Sequence, residues 1–253
     1  MTVASWRGSA VRLDGPAALV DAVTKQLPPF YDQGGSADLT IRLSTEDGVA
    51  TLHLDDGLGI TGPDGPEIHR ACASRIELVL VDRLTDLVAV HAGVVADARG
   101  VLLFPGRSMV GKSTLTRALL DAGCDYWSDE FALLDADGRV HPYPRAMTLR
   151  TPTGSVRHVP DSAVSATAAP RTARLVGLLT FGSAWDARDL TPGEATMGLI
   201  DNCVSIRRDP ARALTALTAL AETAQALGGT RGDATETAAL LTAAPPGAPS
   251  SGS

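Results

Sequence analysis

Gly106, Gly111, Lys112 and Ser113 stand at the spacing G-x-x-x-x-G-K-[S/T] within the stretch PGRSMVGKST. Glycines at those two places let successive backbone amides turn inward around phosphate oxygens. A lysine ammonium at the third reaches β and γ phosphates, and a serine hydroxyl at the fourth can ligate Mg²⁺. Arg107, Ser108, Met109, Val110 and Thr114 complete the candidate loop. The chain has only two lysines and draws the rest of its positive charge from arginine. A compact ammonium fits among phosphates where a broad planar guanidinium does not, which gives Lys112 a reason to be lysine.

Two carboxylates, Asp129 and Glu130, follow one helix, one turn and one short strand later. Such a crossover returns the chain toward the loop, so both acids can face a γ phosphate. One could hold Mg²⁺ together with Ser113, and the other could accept a proton from an attacking hydroxyl. On its own an Asp-Glu pair is an ordinary strand end; beside a phosphate loop it is a candidate site. His91 precedes an apolar strand, a place where a histidine more often packs than reacts. Arg207, Arg208 and Arg231 are candidates for a charge-stabilising arginine, while Arg107 and Arg117 suit solvated positions. His69, His141 and His158 show no zinc-ligand spacing.

The elements that must position these residues follow from periodicity. GVVA and VLLF around DARG predict a hairpin at 92–104 that runs into the loop. STLTRALLDA predicts the helix after it, with Leu115, Ala118, Leu119 and Ala122 on its inner face and Gly123 as its stop. DYWS reads as the strand that delivers the acids, and FALLDADGRVHPY as a further hairpin. Residues 160–174 are small, polar and flanked by proline, which predicts a long loop or mobile segment able to cover an acceptor. LVGLLTF reads as a buried strand, DPARALTALTALAETAQAL as a helix ended by Gly228 and Gly229, and TETAALLTAA as a last short helix. Ahead of all this, residues 1–88 read as a small α+β unit. Its helix AALVDAVTKQL and strands ADLTIRLS and VATLHLD precede a long helix from Glu67 to Val90, with Ile68, Cys72, Ile76, Leu80 and Leu84 at steps of four. A main domain over 89–244 and a disordered tail at 245–253 complete the organisation.

Composition narrows the classes. The net charge is −7 and no basic run occurs, so nucleic acid is not the expected partner. No apolar run reaches membrane-spanning length and the first residues lack a signal-peptide core, so a soluble cytoplasmic protein is expected. Cys72, Cys124 and Cys203 are scattered and odd in number, as free thiols in a reducing compartment would be. Neither an NKxD-like guanine motif nor an LSGGQ-like signature is present, which points away from GTPases and transporter ATPases.

The stretch from His91 to Glu130 resembles the catalytic domain of HPr kinase/phosphorylase and its smaller relatives, the HPr-kinase-related serine kinases. His91 holds the upstream histidine place, GRSMVGKS the loop, and GCDYWSDE the strand with its acidic pair; PYPRAMTLR and LGGTRGDATETAALL also look like the smaller relatives. Met109 stands where the family has glycine, and Glu130 where it has a second aspartate. The family's further Mg²⁺-binding glutamate has no match. The resemblance implies an α/β P-loop kinase domain of HPr-kinase type, preceded here by the small N-terminal unit. It further implies an ATP- and Mg²⁺-dependent enzyme that phosphorylates a serine hydroxyl of a protein, peptide or small molecule. Asp129, His91 and Lys112 would be its catalytic residues, Gly106–Thr114 would bind the nucleotide, and Ser113, Glu130 and Asp129 would hold the metal. The resembled enzymes are often homo-oligomers. Two alternatives stay open: an ATP-binding regulatory module of the same fold with little transfer, and an unrelated P-loop NTPase.

Overall fold

The computed structural model describes residues 2–54, 59–106, 111–151 and 154–243. Arg107, Ser108, Met109 and Val110 of the candidate loop, and the expected tail at 245–253, lie outside the described residues. The chain divides into two compact units, Met1–Val88 and Ala89–Ser253.

In the first unit, β1 (Thr2–Trp6) and β2 (Ser9–Asp14) form a hairpin, followed by α1 (Ala17–Thr24), β3 (Asp32–Gln33), β4 (Leu39–Glu46), β5 (Val49–His53), β6 (Ile60–Pro63) and α2 (Pro66–Asp82). The strands make one sheet in the order β3-β1-β2-β4-β5-β6, with β2 and β4 parallel across the α1 connection. Alternation along each strand puts Val11, Leu13, Ile41, Leu43, Ala50 and Leu52 on one face. There they pack with Leu19, Val20 and Val23 of α1 and with Ile68, Cys72, Ile76 and Leu80 of α2.

The second unit is an α/β layer structure. Its strands are β7 (Val88–Asp97), β8 (Gly100–Pro105), β9 (Asp125–Ser128), β10 (Phe131–Leu134), β11 (Val140–His141), β12 (Met147–Thr151), β13 (Gly154–His158), β14 (Ala173–Phe181), β15 (Asp186–Asp189) and β16 (Gln225–Arg231). Its helices are α3 (Lys112–Asp121), α4 (Pro192–Ile200), α5 (Pro210–Thr223) and α6 (Ala234–Thr242). The main sheet runs β11-β10-β7-β8-β14-β16-β15, with β9 also paired to β7. Strands β8, β14 and β16 are mutually parallel at its centre. Leu175 and Leu179 of β14 pack with Leu115 and Leu119 of α3 and with Ala238 and Leu241 of α6. The intervening Leu178 points the other way, into Gly198 of α4. Helices therefore cover both faces of the sheet, which is why its central strands are apolar on both sides.

Several expectations are corrected. The long helix from Glu67 ends at Asp82, and Val88 begins strand β7 instead. The four-residue apolar step runs on into that strand, and a short apolar run does not distinguish helix from strand. The helix from Pro210 ends at Thr223, and Gln225–Arg231 is a strand. A parallel slot beside β14 overrides the helical propensity of its alanine-rich start. On α3, Thr116 is buried in place of Ala122, which is exposed. The segment 160–174 is irregular up to Thr172 but pinned: Tyr126 N–H donates to Ser162 O at 2.9 Å, Val164 N–H to Tyr126 O at 3.1 Å, and Arg171 N–H to Val140 O at 3.0 Å. The hairpin β1-β2, the edge strand β15 and α4 are additional elements. No helix among the described residues is long and apolar enough to cross a membrane. Cys72, Cys124 and Cys203 are free and buried.

Asp97, at the tip of the β7-β8 hairpin, joins this layer to α6. It accepts from Arg99 Nη2 at 2.8 Å and Arg174 Nη2 at 2.7 Å. Both guanidinium groups also donate to carbonyls of the last turn of α6. Burial pushes the Asp97 carboxyl up, but the hydrogen bonds from Arg174 and Arg99 outweigh it and hold the pKa down at about 2. Asp97→Asn is expected to cost about 1–3 kcal/mol of stability near neutral pH. A depressed carboxylate stabilises the fold above its ordinary pKa of 3.8 and loses that contribution as pH falls toward about 2. The gap between parent and variant, measured by denaturant titration, should therefore close over that acidic window.

Candidate functional site

The candidate residues meet around β7. The peptide unit between His91 and Ala92 is hydrogen-bonded on both sides: the His91 carbonyl accepts from Gly106 N–H at 3.1 Å, and Ala92 N–H donates to Glu130 O at 3.1 Å. A trans peptide points its carbonyl and N–H in opposite directions. One planar group thus sets the start of the loop and the acidic pair on either side of a single strand, about 10 Å apart at two strand spacings. Side chains of lysine and glutamate length can meet across that span. Ser128 fixes the turn that carries the acids, since its Oγ accepts from the N–H groups of Glu130 (3.2 Å) and Phe131 (3.1 Å).

On the loop side, Gly111 is left-handed at φ 80° and sits directly before α3, so Lys112, Ser113 and Thr114 form the first turn of that helix. Lys112 and Ser113 are half-buried and Thr114 is exposed. Lys112 Nζ donates to Gly106 O at 2.5 Å, back at the end of β8. Gly93 of β7 lets α3 settle on the sheet, because a Cβ there would lie 2.6 Å from Thr116 Oγ1. The positive end of α3 faces the loop it follows.

On the acid side the two carboxylates have opposite surroundings. Asp129 is buried, 9% exposed. The single Tyr126 hydroxyl hydrogen is shared between Arg145 O at 2.8 Å and Asp129 Oδ1 at 3.3 Å. Burial dominates and, with the Glu130 charge, raises the Asp129 carboxyl from 3.8 to about 6 against the pull of Arg145, Tyr126 and Lys112. Glu130 is half-buried. His91 Nδ1 lies 3.5 Å from its Oε1 and Arg145 Nη1 3.8 Å from its Oε2. Burial pushes its carboxyl up too, but the His91 hydrogen bond and the Arg145 and Lys112 charges outweigh that and hold it below the ordinary value. Burial lowers the Lys112 ammonium while both carboxylates pull it back up, so all three charges act on one another. Two neighbouring carboxylates pushed apart in this way separate into a proton acceptor working near neutrality and a permanent anion.

The His91 ring lies 5.1 Å from the Phe131 ring, so it packs and also meets Glu130. Of the three candidate arginines, Arg207 and Arg208 are exposed. Arg231 is buried at 3% exposure and donates through Nη2 to Gly111 O at 3.1 Å. Arg145 and Tyr126 belong to the site without having been singled out as functional. For Arg145 the signal was its place in PYPRAM; Tyr126 reads only as a buried strand residue. Among the described residues no group of three or more His, Cys, Asp or Glu could hold a metal ion by itself. The hydroxyl of Ser113 and an ionised Glu130 are oxygen donors of the kind Mg²⁺ takes, since it needs only one or two protein oxygens and completes its shell with phosphate and water. Compared with known proteins, the chain matches no family model and no curated sequence.

Proposed function

We propose that this chain is an ATP- and Mg²⁺-dependent kinase with a P-loop domain of HPr-kinase type, which transfers the γ phosphate to a serine hydroxyl of a protein, peptide or small molecule. The observation that carries this reading is the divergent carboxylate pair beside the loop lysine: Asp129 raised to about 6 by burial, Glu130 held low by His91 and Arg145. A plain strand end would leave both acids solvated and alike.

Lys112, the loop amides and the start of α3 hold the phosphates. Ser113 and Glu130 would hold Mg²⁺, which when bound would offset phosphate charge. Asp129 takes the proton of the acceptor hydroxyl as its oxygen bonds to the γ phosphorus. The bond from that phosphorus to the β–γ bridging oxygen breaks, and ADP leaves. Tyr126 keeps Asp129 in place, and His91 and Arg145 keep Glu130 ionised. A cytoplasmic setting accords with ATP use and with three free thiols.

The test is transfer of labelled γ phosphate from ATP to cell extract, candidate peptides and free serine. Label on one acceptor class supports the kinase and names its substrate. Free phosphate with no labelled acceptor would make the chain an NTPase, and nucleotide binding without turnover a sensing module.

A further inference from the structure

Phe181 closes β14 and is 70% exposed, the largest exposure among the big apolar side chains described. It continues the Leu175–Leu179 stripe, so it emerges on the α3 side of the sheet, just past the edge of the core. In the β14-β8 register Val176 lies opposite Leu103, which puts Leu179 level with Gly106. Phe181 stands two residues further, about 7 Å beyond the point where β8 enters the loop. It is therefore at the carboxyl end of a parallel strand, where α/β sheets receive ligands.

Its neighbour ties it to the loop. Phe181 pairs in register with Arg231, whose guanidinium lies 5.6 Å from the ring centroid. That guanidinium donates to the carbonyls of Gly111 (3.1 Å) and Gly232 (3.2 Å), and no carboxylate forms an ion pair with it among the described residues. A Cβ on Gly111 would lie 2.6 Å from Arg231 Nη2, so any side chain there would push the guanidinium from its place beside Gly111. Asp233 acts on it only at longer range, against the cost of burial, so an anion in direct contact would be stabilising. Apart from that contact with Arg231, most of the Phe181 ring is open to solvent.

We infer that Phe181 is the platform on which the nucleotide base stacks, with Arg231 bridging from that platform to the phosphates. This rests on the phosphate-loop reading above and adds how the base is recognised. Stacking on a π face does not read the base edge, so ATP and GTP should bind comparably.

Calorimetric titration of the full chain with ATP, GTP and tripolyphosphate, all with Mg²⁺, tests it. Tripolyphosphate presents the phosphates without a base. Phe181→Ala is expected to weaken ATP and GTP about tenfold and to leave tripolyphosphate unchanged. Phe181→Trp, which keeps the π face, should restore both nucleotides. The side chain is largely exposed, so both variants should melt like the parent. If tripolyphosphate binds in a Lys112-dependent way but Phe181→Ala leaves the ATP-to-tripolyphosphate ratio unmoved, the platform is overturned and the loop stands. If the parent binds neither ligand, the loop reading falls and this inference falls with it.

Discussion

Lys112→Ala is expected to cut phosphoryl transfer by at least about 10²–10³-fold and to weaken ATP binding markedly. Among the described residues the ammonium is the one positive charge placed both at the start of α3 and within reach of the two carboxylates. Without it the γ phosphate would approach Asp129 and Glu130 with two like charges and less to offset them. The alanine removes one donor to Gly106 O and no large apolar group, so folding should survive. Lys112→Arg should also fail, since a planar fork does not fit the space of an ammonium already 2.5 Å from a loop carbonyl. Single-turnover transfer and nucleotide affinity measure the two effects separately. A Lys112→Ala protein that binds and uses ATP like the parent would remove the loop from the mechanism.

What could be read in advance divides by the range of the interaction. The loop, the acidic pair and α3 lie within one short stretch, and the chemistry proposed for them follows from residue type and spacing. The α/β class was legible for the same reason, in apolar runs alternating with helical periods. Arg231 was only one of three candidate arginines, because its partner Gly111 lies far away in sequence and the pairing needs strand β16. That strand was itself hidden in an alanine-rich helical pattern running through Leu227. Phe181 looked like the end of a buried strand, and only the sheet register shows that it clears the core. The role of Tyr126 was hidden by its own burial: alternation predicts a core residue and says nothing of a hydroxyl turned toward Asp129. The capping box of Thr191 and Glu194 was present in TPGE, yet proline and glycine there also suit a turn.

Asp129→Asn is expected to lower acceptor phosphorylation by roughly 10²–10⁴-fold while ATP still binds with Mg²⁺. Asparagine keeps the size and part of the hydrogen bonding, but it cannot accept a proton. In the parent, kcat/KM should fall as pH drops below about 6, where the buried carboxyl holds its proton. Stability should move the opposite way. The folded carboxyl titrates at about 6 and the unfolded one at its ordinary 3.8, so the folded state binds more protons between these values. Stability is thus lost as pH rises through that window, by about 3 kcal/mol at neutral pH from this residue. Asp129→Asn should therefore melt higher than the parent at pH 7–8, with the gap closing below about pH 4. A more stable protein that no longer transfers phosphate would mark a charge kept buried for its chemistry. Glu130→Gln gives the contrast: its depressed carboxyl stabilises the fold above the ordinary glutamate range, and its loss should weaken Mg²⁺-dependent nucleotide affinity. If Asp129→Asn instead lowers that affinity in step with the rate, Asp129 is a metal ligand and not the base. If it changes neither rate nor affinity, the acidic pair does no chemistry and nucleotide sensing becomes the better account of the site.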